Sequence, residues 1–397
     1  MVRLPVYLDY HATTPTDSRV VEAMLPFFSS VFGNPASLAH RFGWEANEAV
    51  ERARGQVAAG IGAEAREIVF TSGATEANNL AVKGVAQALR RKGNHLVTAA
   101  TEHKSVLDPM RRLSREGWEL TVIPCDSFGR VSAADVDRAI TDRTVLVSIM
   151  AANNEVGSLN PIREIGRVCR DRGVYFHTDA TQALGRILLD VRRDEIDLLS
   201  LSGHKIYGPK GIGALFVRRS DPQVRLLGQL DGGGHERGLR SGTVPVPLVV
   251  GLGVAVQLAV EERDEESRRL QELRDALYRG IVERVPEVRL NGHPVERLPG
   301  NLNLSFAYVD GEALMMAMRE VAVSSGAACS STEPEPSHVL LAMGLDEDSA
   351  RASLRFGLGR FTTAEEIEFA IESVVSSVAR LRAHSAAWSP LLASGTS

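Results

Sequence analysis

Ser200-Leu201-Ser202-Gly203-His204-Lys205-Ile206-Tyr207-Gly208-Pro209 closes a strand-like run over 196–201 and sets a lysine just beyond its end. A lysine amine can add covalently to an aldehyde. Ser202 and His204 beside it can hydrogen-bond a phosphate, which is the division of labour expected at a pyridoxal 5′-phosphate (PLP) site. Taken alone, the tetrad Ser202 to Lys205 reads better as a polar loop with an exposed lysine, because Lys is mostly a surface residue. The weight comes from what surrounds it.

Outward from this segment the chain alternates strand and helix. Strands are predicted over 68–70, 95–99, 120–124, 145–150, 174–177 and 197–201, with helices over 75–91, 105–115 and 163–172. That alternation predicts an α/β fold with a mostly parallel sheet covered on both faces. In such sheets ligands bind beyond the carboxyl ends of the strands. Before it lie an extended piece over 6–10, a helical run opened by Asp17 or Ser18, and an amphipathic helix over 44–61. From about Pro245 the composition shifts to a long helical region and then to shorter α+β elements near 302–306, 321–324 and 353–358, which predicts a second, smaller domain.

The informative residues fall at the predicted strand ends. Phe70-Thr71-Ser72-Gly73-Ala74-Thr75-Glu76 is a strand, a small-residue turn and a helix start. Free N–H groups in such a first turn suit a phosphate as well as an ordinary N-cap. Asp179 ends the 174–177 strand, where a carboxylate can hold a pyridine nitrogen protonated and Gln182 could reach a ring hydroxyl; capping of the next helix is the alternative. His103 follows the 95–99 strand and could stack on a ring and move protons, and Asn154 follows the 145–150 strand and could meet a substrate. Gly232-Gly233-Gly234-His235-Glu236-Arg237 and Arg240-Ser241-Gly242-Thr243 form a Gly-rich loop that suits a phosphate or a linker. Arg355 is a charge amid apolar neighbours, fit for a carboxylate or for a structural ion pair. Cys329 sits in small and Pro-rich sequence, Gly326 to Pro336, so an exposed and mobile nucleophilic thiol is expected; Cys125 and Cys169 read as core filler.

Composition narrows the function classes. In 397 residues the formal net charge is -5, which argues against a nucleic-acid or anionic-membrane partner. No run approaches the roughly 18 apolar residues of a membrane span, and the N-terminus has no secretory pattern, so a cytoplasmic protein is expected. The cysteines number three and have no CxxC spacing, which excludes a disulfide framework and a Cys-only zinc site.

Together, Tyr7-Leu8-Asp9-Tyr10 with Ala12-Thr13-Thr14-Pro15, Gly33 to Ser37, Thr71 to Glu76, Thr101-Glu102-His103, Asn153-Asn154-Glu155, Asp179 to Gln182, Ser202 to Lys205, Gly232 to Arg237, Arg240 to Thr243, Ser324 to Cys329 and Arg355-Phe356 resemble the group I cysteine desulfurases of the IscS/NifS type, within the class V aminotransferases. The resemblance spans nearly the whole chain. It implies PLP fold type I and a homodimer, with an N-terminal arm (1–15) joined to the small domain, a large PLP-binding domain (16–245), a small α+β domain (246–385) and a flexible tail (386–397).

By the same resemblance Lys205 holds PLP as a Schiff base, His103 stacks on its ring, Asp179 pairs with the pyridine nitrogen and Gln182 meets the ring hydroxyl. Ala74, Thr75, Ser202 and His204 bind the phosphate, with Thr243 supplied by the other subunit. Asn154 and Arg355 orient the carboxylate of L-cysteine. Cys329 takes the sulfur as a persulfide while alanine leaves, and passes it to a sulfur-acceptor or iron–sulfur scaffold protein. No resident metal is implied, though Cys329 could transiently ligate an iron–sulfur cluster. A related class V aminotransferase or a selenocysteine lyase is the alternative. The chain departs from the pattern at His11, where several relatives carry a smaller residue, and at 386–397, which lacks the acidic and aromatic tail that housekeeping members use to grip a scaffold.

Overall fold

The structure, a computed structural model, describes residues 2–325, 335–385 and 388. Cys329, the mobility expected of its loop, and the tail apart from residue 388 lie outside the described residues. The strands in chain order are β1 (Val6–Tyr7), β2 (Ile68–Thr71), β3 (His95–Ala99), β4 (Glu119–Ile123), β5 (Thr144–Ser148), β6 (Tyr175–Asp179), β7 (Leu198–Ser202), β8 (Gly213–Val217), β9 (Val288–Asn291), β10 (Asn301–Phe306), β11 (Val321–Ala322), β12 (Ser324–Ser325) and β13 (Ser353–Gly357).

Seven of them form one sheet in the order β2-β8-β7-β6-β5-β3-β4. The neighbours from β7 to β4 pair in parallel, whereas β8 runs antiparallel to both β7 and β2. Two reversals leave β2 parallel to β7. The carboxyl ends of β2, β3, β5, β6 and β7 therefore open on one edge. Sequence patterning missed β8, a five-residue run behind the Gly208 to Gly213 turns. Its first residue is constrained by close approach, since a Cβ on Gly213 would lie 2.4 Å from the Leu201 carbonyl oxygen and 2.7 Å from Gly73 Cα.

The central strands are buried throughout, so they read as apolar runs with each face packed separately. Leu199, Leu201 and Phe216 face one cluster, and Leu198, Leu215 and Val217 face another. In the first cluster the helix Arg41–Ala59 presents Ala46, Ala49, Val50, Ala53 and Val57 at helical spacing, small residues that admit the helix Val246–Glu261. That helix was expected at the head of the small domain. Its Val249, Leu252 and Val256 instead pack into the large-sheet core, so the division between cores falls near Glu262.

The second core is built on the antiparallel order β12-β13-β10-β9. Leu302, Leu304 and Phe306 of β10 and Leu354 and Phe356 of β13 pack under the helices Arg263–Val282 and Ala364–Ala383. The N-terminal arm joins this unit: β1 pairs in parallel with β11, and Asp9 bridges to Gly357.

The Gly-rich loop is anchored by a buried ion pair. Arg54 Nη1 and Nη2 donate to Glu236 Oε2 and Oε1 at 2.7 and 2.9 Å, and the Phe70 N–H donates to Glu236 Oε2 at 2.8 Å. Removing one partner strands the other charge in the core. Arg54→Met is therefore expected to destabilise the protein by about 3–5 kcal/mol in urea unfolding, and pairing it with Glu236→Gln should recover part of the loss. A loss below about 1 kcal/mol, the size of an exposed pair, would contradict this account.

Candidate active site

The sheet edge and the N-terminal arm enclose a cavity of about 560 Å³. On one side β2 delivers Ser72 and Gly73, the latter at φ 149°, to the start of the helix Ala74–Leu89. No side chain caps this helix, and the N–H groups of Ala74, Thr75 and Glu76 find no acceptor among the described residues. The Ser202 hydroxyl, also without a protein partner among the described residues, would stand 3.8 Å from a Cβ on Gly73. Free amides at the positive end of a 16-residue helix with a hydroxyl beside them make an anion cradle. His204 completes that wall. Its Nδ1 lies 3.2 Å from Thr13 Oγ1, and burial, with the charges of Lys205 and Lys210, pushes its imidazole down to about 4.

Lys205 follows β7 in a single tight helical turn, Gly203–Lys205. Its Nζ donates to the carbonyl oxygens of His11 and Ala12, each at 2.6 Å. Burial, reinforced by Arg355 and opposed by Asp9 and Asp179, pushes the amine down to about 8. A lysine so placed reaches its nucleophilic free-base form far more readily than a solvated one.

Asp179, the last residue of β6, is 6% exposed. Its Oδ1 accepts from the Thr181 N–H at 2.9 Å and its Oδ2 from Asn78 Nδ2 at 2.8 Å. Asn78 Nδ2 also donates to Ser105 Oγ at 2.8 Å. Ser105 Oγ lies 2.8 Å and its backbone N–H 3.1 Å from Nδ1 of His103, which caps the helix Lys104–Arg115 and lines the cavity. Gln182 also lines the cavity, but both ends of its amide are held by His11: Nε2 donates to the His11 carbonyl at 3.0 Å and Oε1 lies 3.0 Å from His11 Nδ1.

Asn154 borders this cavity and a second cleft of about 260 Å³ that His103 and Arg355 share. Arg355 occupies the centre of β13. Its Nη1 donates to the Asn154 carbonyl at 2.9 Å, and its Nη2 donates to Asp9 Oδ1 and Ser324 Oγ, each at 2.8 Å. Its Nε is buried and unpartnered among the described residues. The two readings of Arg355 thus coexist, an ion pair on one arm and a free donor on the other.

The fold brings Ala74, Thr75, His103, Asn154, Asp179, Gln182, Ser202, His204 and Lys205 to one cavity, with Arg355 in the adjoining cleft. Thr243 lines neither and is exposed. Sequence reading missed Asn78, Asp9 and the use of His11, whose buried ring is pushed down to about 3 by burial. Helical spacing carried the only signal for Asn78, four residues after Ala74 on the cradle helix. An anion cradle, a covalent amine and an acceptor carboxylate around one cavity fit a phosphorylated pyridine aldehyde such as PLP.

Comparison with known proteins agrees with that chemistry. The family model described as aminotransferase class-V matches residues 6–369. Cysteine desulfurase IscS of Anaeromyxobacter dehalogenans (strain 2CP-C) is 56% identical over 381 residues, covering 96% of this chain and 94% of that protein. The Homo sapiens protein named cysteine desulfurase is 53% identical over 384 residues, covering 97% and 84% respectively. Among solved structures, a NifS-like protein superposes with a TM-score of 0.88 at 36% identity, covering 95% of this chain and 100% of the other. SspA in complex with cysteine superposes at 0.80 with 40% identity, covering 90% and 100%.

The depressed amine is testable on protein freed of small aldehydes. Labelling of Lys205 by a small aldehyde with hydride trapping, quantified by peptide mass spectrometry, should rise with pH and reach half its maximum near 8. Arg355→Gln removes a neighbouring cation and should move that midpoint upward. A midpoint near the ordinary lysine value of about 10.4 would rule out the burial effect.

Proposed function

The chain belongs to the class-V aminotransferase family and is a cysteine desulfurase, and from that premise we propose that it converts L-cysteine to L-alanine while Cys329 takes the sulfur as a persulfide for delivery to an acceptor or iron–sulfur scaffold protein. The observation that carries this reading is the half-buried Lys205 amine sharing one cavity with the Asp179 carboxylate and the open turn at Ala74 and Thr75.

PLP, on which this family depends, supplies when bound an electron sink that allows bonds next to the substrate amine to break. Lys205 would hold its aldehyde, Asp179 its pyridine nitrogen and His103 its ring face, with Gln182 toward the ring hydroxyl. Ala74, Thr75, Ser202 and His204 would take the phosphate. Thr243, exposed on this chain, would serve the cavity of a second copy in a homodimer. Asn154 and Arg355, which border the same cleft, would orient the substrate carboxylate. Burial favours the free amine at Lys205 Nζ, which suits it to accept the substrate α-proton.

In the sulfur step the thiolate of Cys329 attacks the substrate sulfur. The S–S bond forms as the C–S bond breaks, and a proton is delivered to the former Cβ, so that L-cysteine and a thiol become L-alanine and a persulfide. Cys125 and Cys169 are poor candidates for this role, because burial raises both thiols above their ordinary range and thiolate is the reactive form.

Alanine and sulfide assays on purified protein given L-cysteine and a reducing thiol test the reading. Lys205→Ala should abolish both products. Cys329→Ala should keep the yellow cofactor and lose sulfur transfer by about 10²-fold or more, because the attacking group itself is gone. Alkylation after one turnover should place the extra sulfur on Cys329. Its appearance on Cys125 or Cys169, or normal sulfide release from Cys329→Ala, would refute the assignment.

A further inference from the structure

We propose that Lys210 is a further cofactor-binding residue: from the turn between β7 and β8 its ammonium supplies positive charge to the phosphate taken up by the cradle at Ala74 and Thr75. That this phosphate belongs to PLP rests on the proposed function, whereas the placement of the lysine rests on the sheet. Thr71, Gly213 and Ser202 stand in one row across β2, β8 and β7. β2 and β7 end at that row and the antiparallel β8 begins there, so the chain leading into Gly213 lies on the same edge as the chain leaving Thr71 and Ser202. It is folded back on itself, with the Gly203 N–H donating to the Ile212 carbonyl at 3.0 Å and the Gly208 N–H to the Gly203 carbonyl at 2.9 Å. At its tip Lys210 and Gly211, the latter at φ 84°, line the cavity together with Ser202 and His204.

The charges on the wall show what the lysine is for. A phosphate monoester carries about −1.5 to −2 near neutral pH, and a helix N-terminus offers only about +0.5. Ser202 adds a hydroxyl that is 3% exposed and has no partner among the described residues. His204 adds no charge, since burial, with Lys205 and then Lys210, pushes its imidazole down to about 4. Among the described residues that line the cavity, Lys205 and Lys210 are the only lysine or arginine side chains. Lys205 is clasped by the His11 and Ala12 carbonyls, and in the proposed function it is committed to the aldehyde.

That leaves Lys210. The neighbouring carboxylate, Glu76, is already held by Arg240 Nε at 2.9 Å and by the Ser72 N–H at 2.7 Å. Lys210 Nζ makes one long hydrogen bond, 3.4 Å to the Thr14 carbonyl, and no ion pair among the described residues. A cation with no anion of its own, whose charge is felt at His204, is placed to meet an anion on that wall.

Two aldehydes that differ only in the phosphate, PLP and pyridoxal, separate this role from a general one. Their apparent dissociation constants are read by absorbance on full-length protein freed of cofactor. Wild type is expected to prefer PLP. Lys210→Met should weaken PLP relative to pyridoxal by about fivefold or more, the lower end for a hydrogen bond to a charged group at an open site. Lys210→Arg, which keeps the charge, should retain most of the preference. Lys92→Met, at a lysine that binds the Gly173 carbonyl outside the cavity, should leave both constants unchanged.

A smaller selective loss in Lys210→Met, an equal loss of both aldehydes, or a Lys210→Arg variant as impaired as Lys210→Met would overturn the proposal. Wild type that takes up neither aldehyde would refute the proposed function instead. Calorimetry with inorganic phosphate on wild type and Lys210→Met would then decide for or against Lys210 by the same margin.

Discussion

The cavity depends on the clasp between Lys205 Nζ and the carbonyl oxygens of His11 and Ala12. A lysine amine withdrawn from water must find acceptors, and here they come from the arm rather than from the sheet that carries the lysine. Neighbouring bonds repeat the clasp. The Thr14 N–H donates to the His204 carbonyl at 3.0 Å, the Tyr207 N–H to Thr14 Oγ1 at 2.9 Å, and the Asp17 N–H to the Tyr207 carbonyl at 2.9 Å. The same arm pairs β1 with β11 and ties Asp9 to Arg355, so it closes the space between the two cores and buries the lysine as it does so.

Burial also keeps histidines in and behind the cavity wall uncharged. Burial pushes the imidazole of His11 to about 3, and those of His177 and His204 to about 4. Near neutral pH these rings are uncharged hydrogen-bonding groups. His177 shows the use of that state: it bridges Ser148 of β5 at 2.7 Å and Ser200 of β7 at 2.9 Å, tying together the strands on either side of β6 two residues before Asp179. The lysine is depressed by the same desolvation, with Arg355 adding to it. One physical cause therefore yields both a nucleophilic amine and neutral imidazoles.

What the sequence made legible was the sheet edge. Strands buried on both faces appear as apolar runs, and polar residues at or just beyond their ends, Ser72, Thr75, His103, Asn154, Asp179, Ser202, His204 and Lys205, reach the cavity because the carboxyl ends of these strands share an edge. β8 escaped because it sits behind glycines and breaks the alternation of strand and helix. The helix Val246–Glu261 was assigned to the wrong core because an apolar helix with little amphipathic contrast does not declare which neighbour it packs against. His11, Asn78 and Asp9 were invisible as participants for a different reason. Each acts through a partner 27 or more positions away in the chain, as in the bonds from Asn78 to Ser105, from His11 to Gln182 and from Asp9 to Arg355.

Arg355 carries this argument furthest. A lone arginine in a buried strand could be wholly consumed by structure, and Asp9, Ser324 and the Asn154 carbonyl do engage both of its terminal nitrogens. Because the guanidinium is planar, fixing those nitrogens also fixes the plane in which Nε lies, and Nε is left without a partner among the described residues. A lysine could not be held on one side and remain a directed donor on the other, since its ammonium rotates about a single flexible stem. The ion pair to Asp9 therefore fixes the guanidinium as a whole, and the arm that clasps Lys205 also holds the arginine that lines the adjoining cleft.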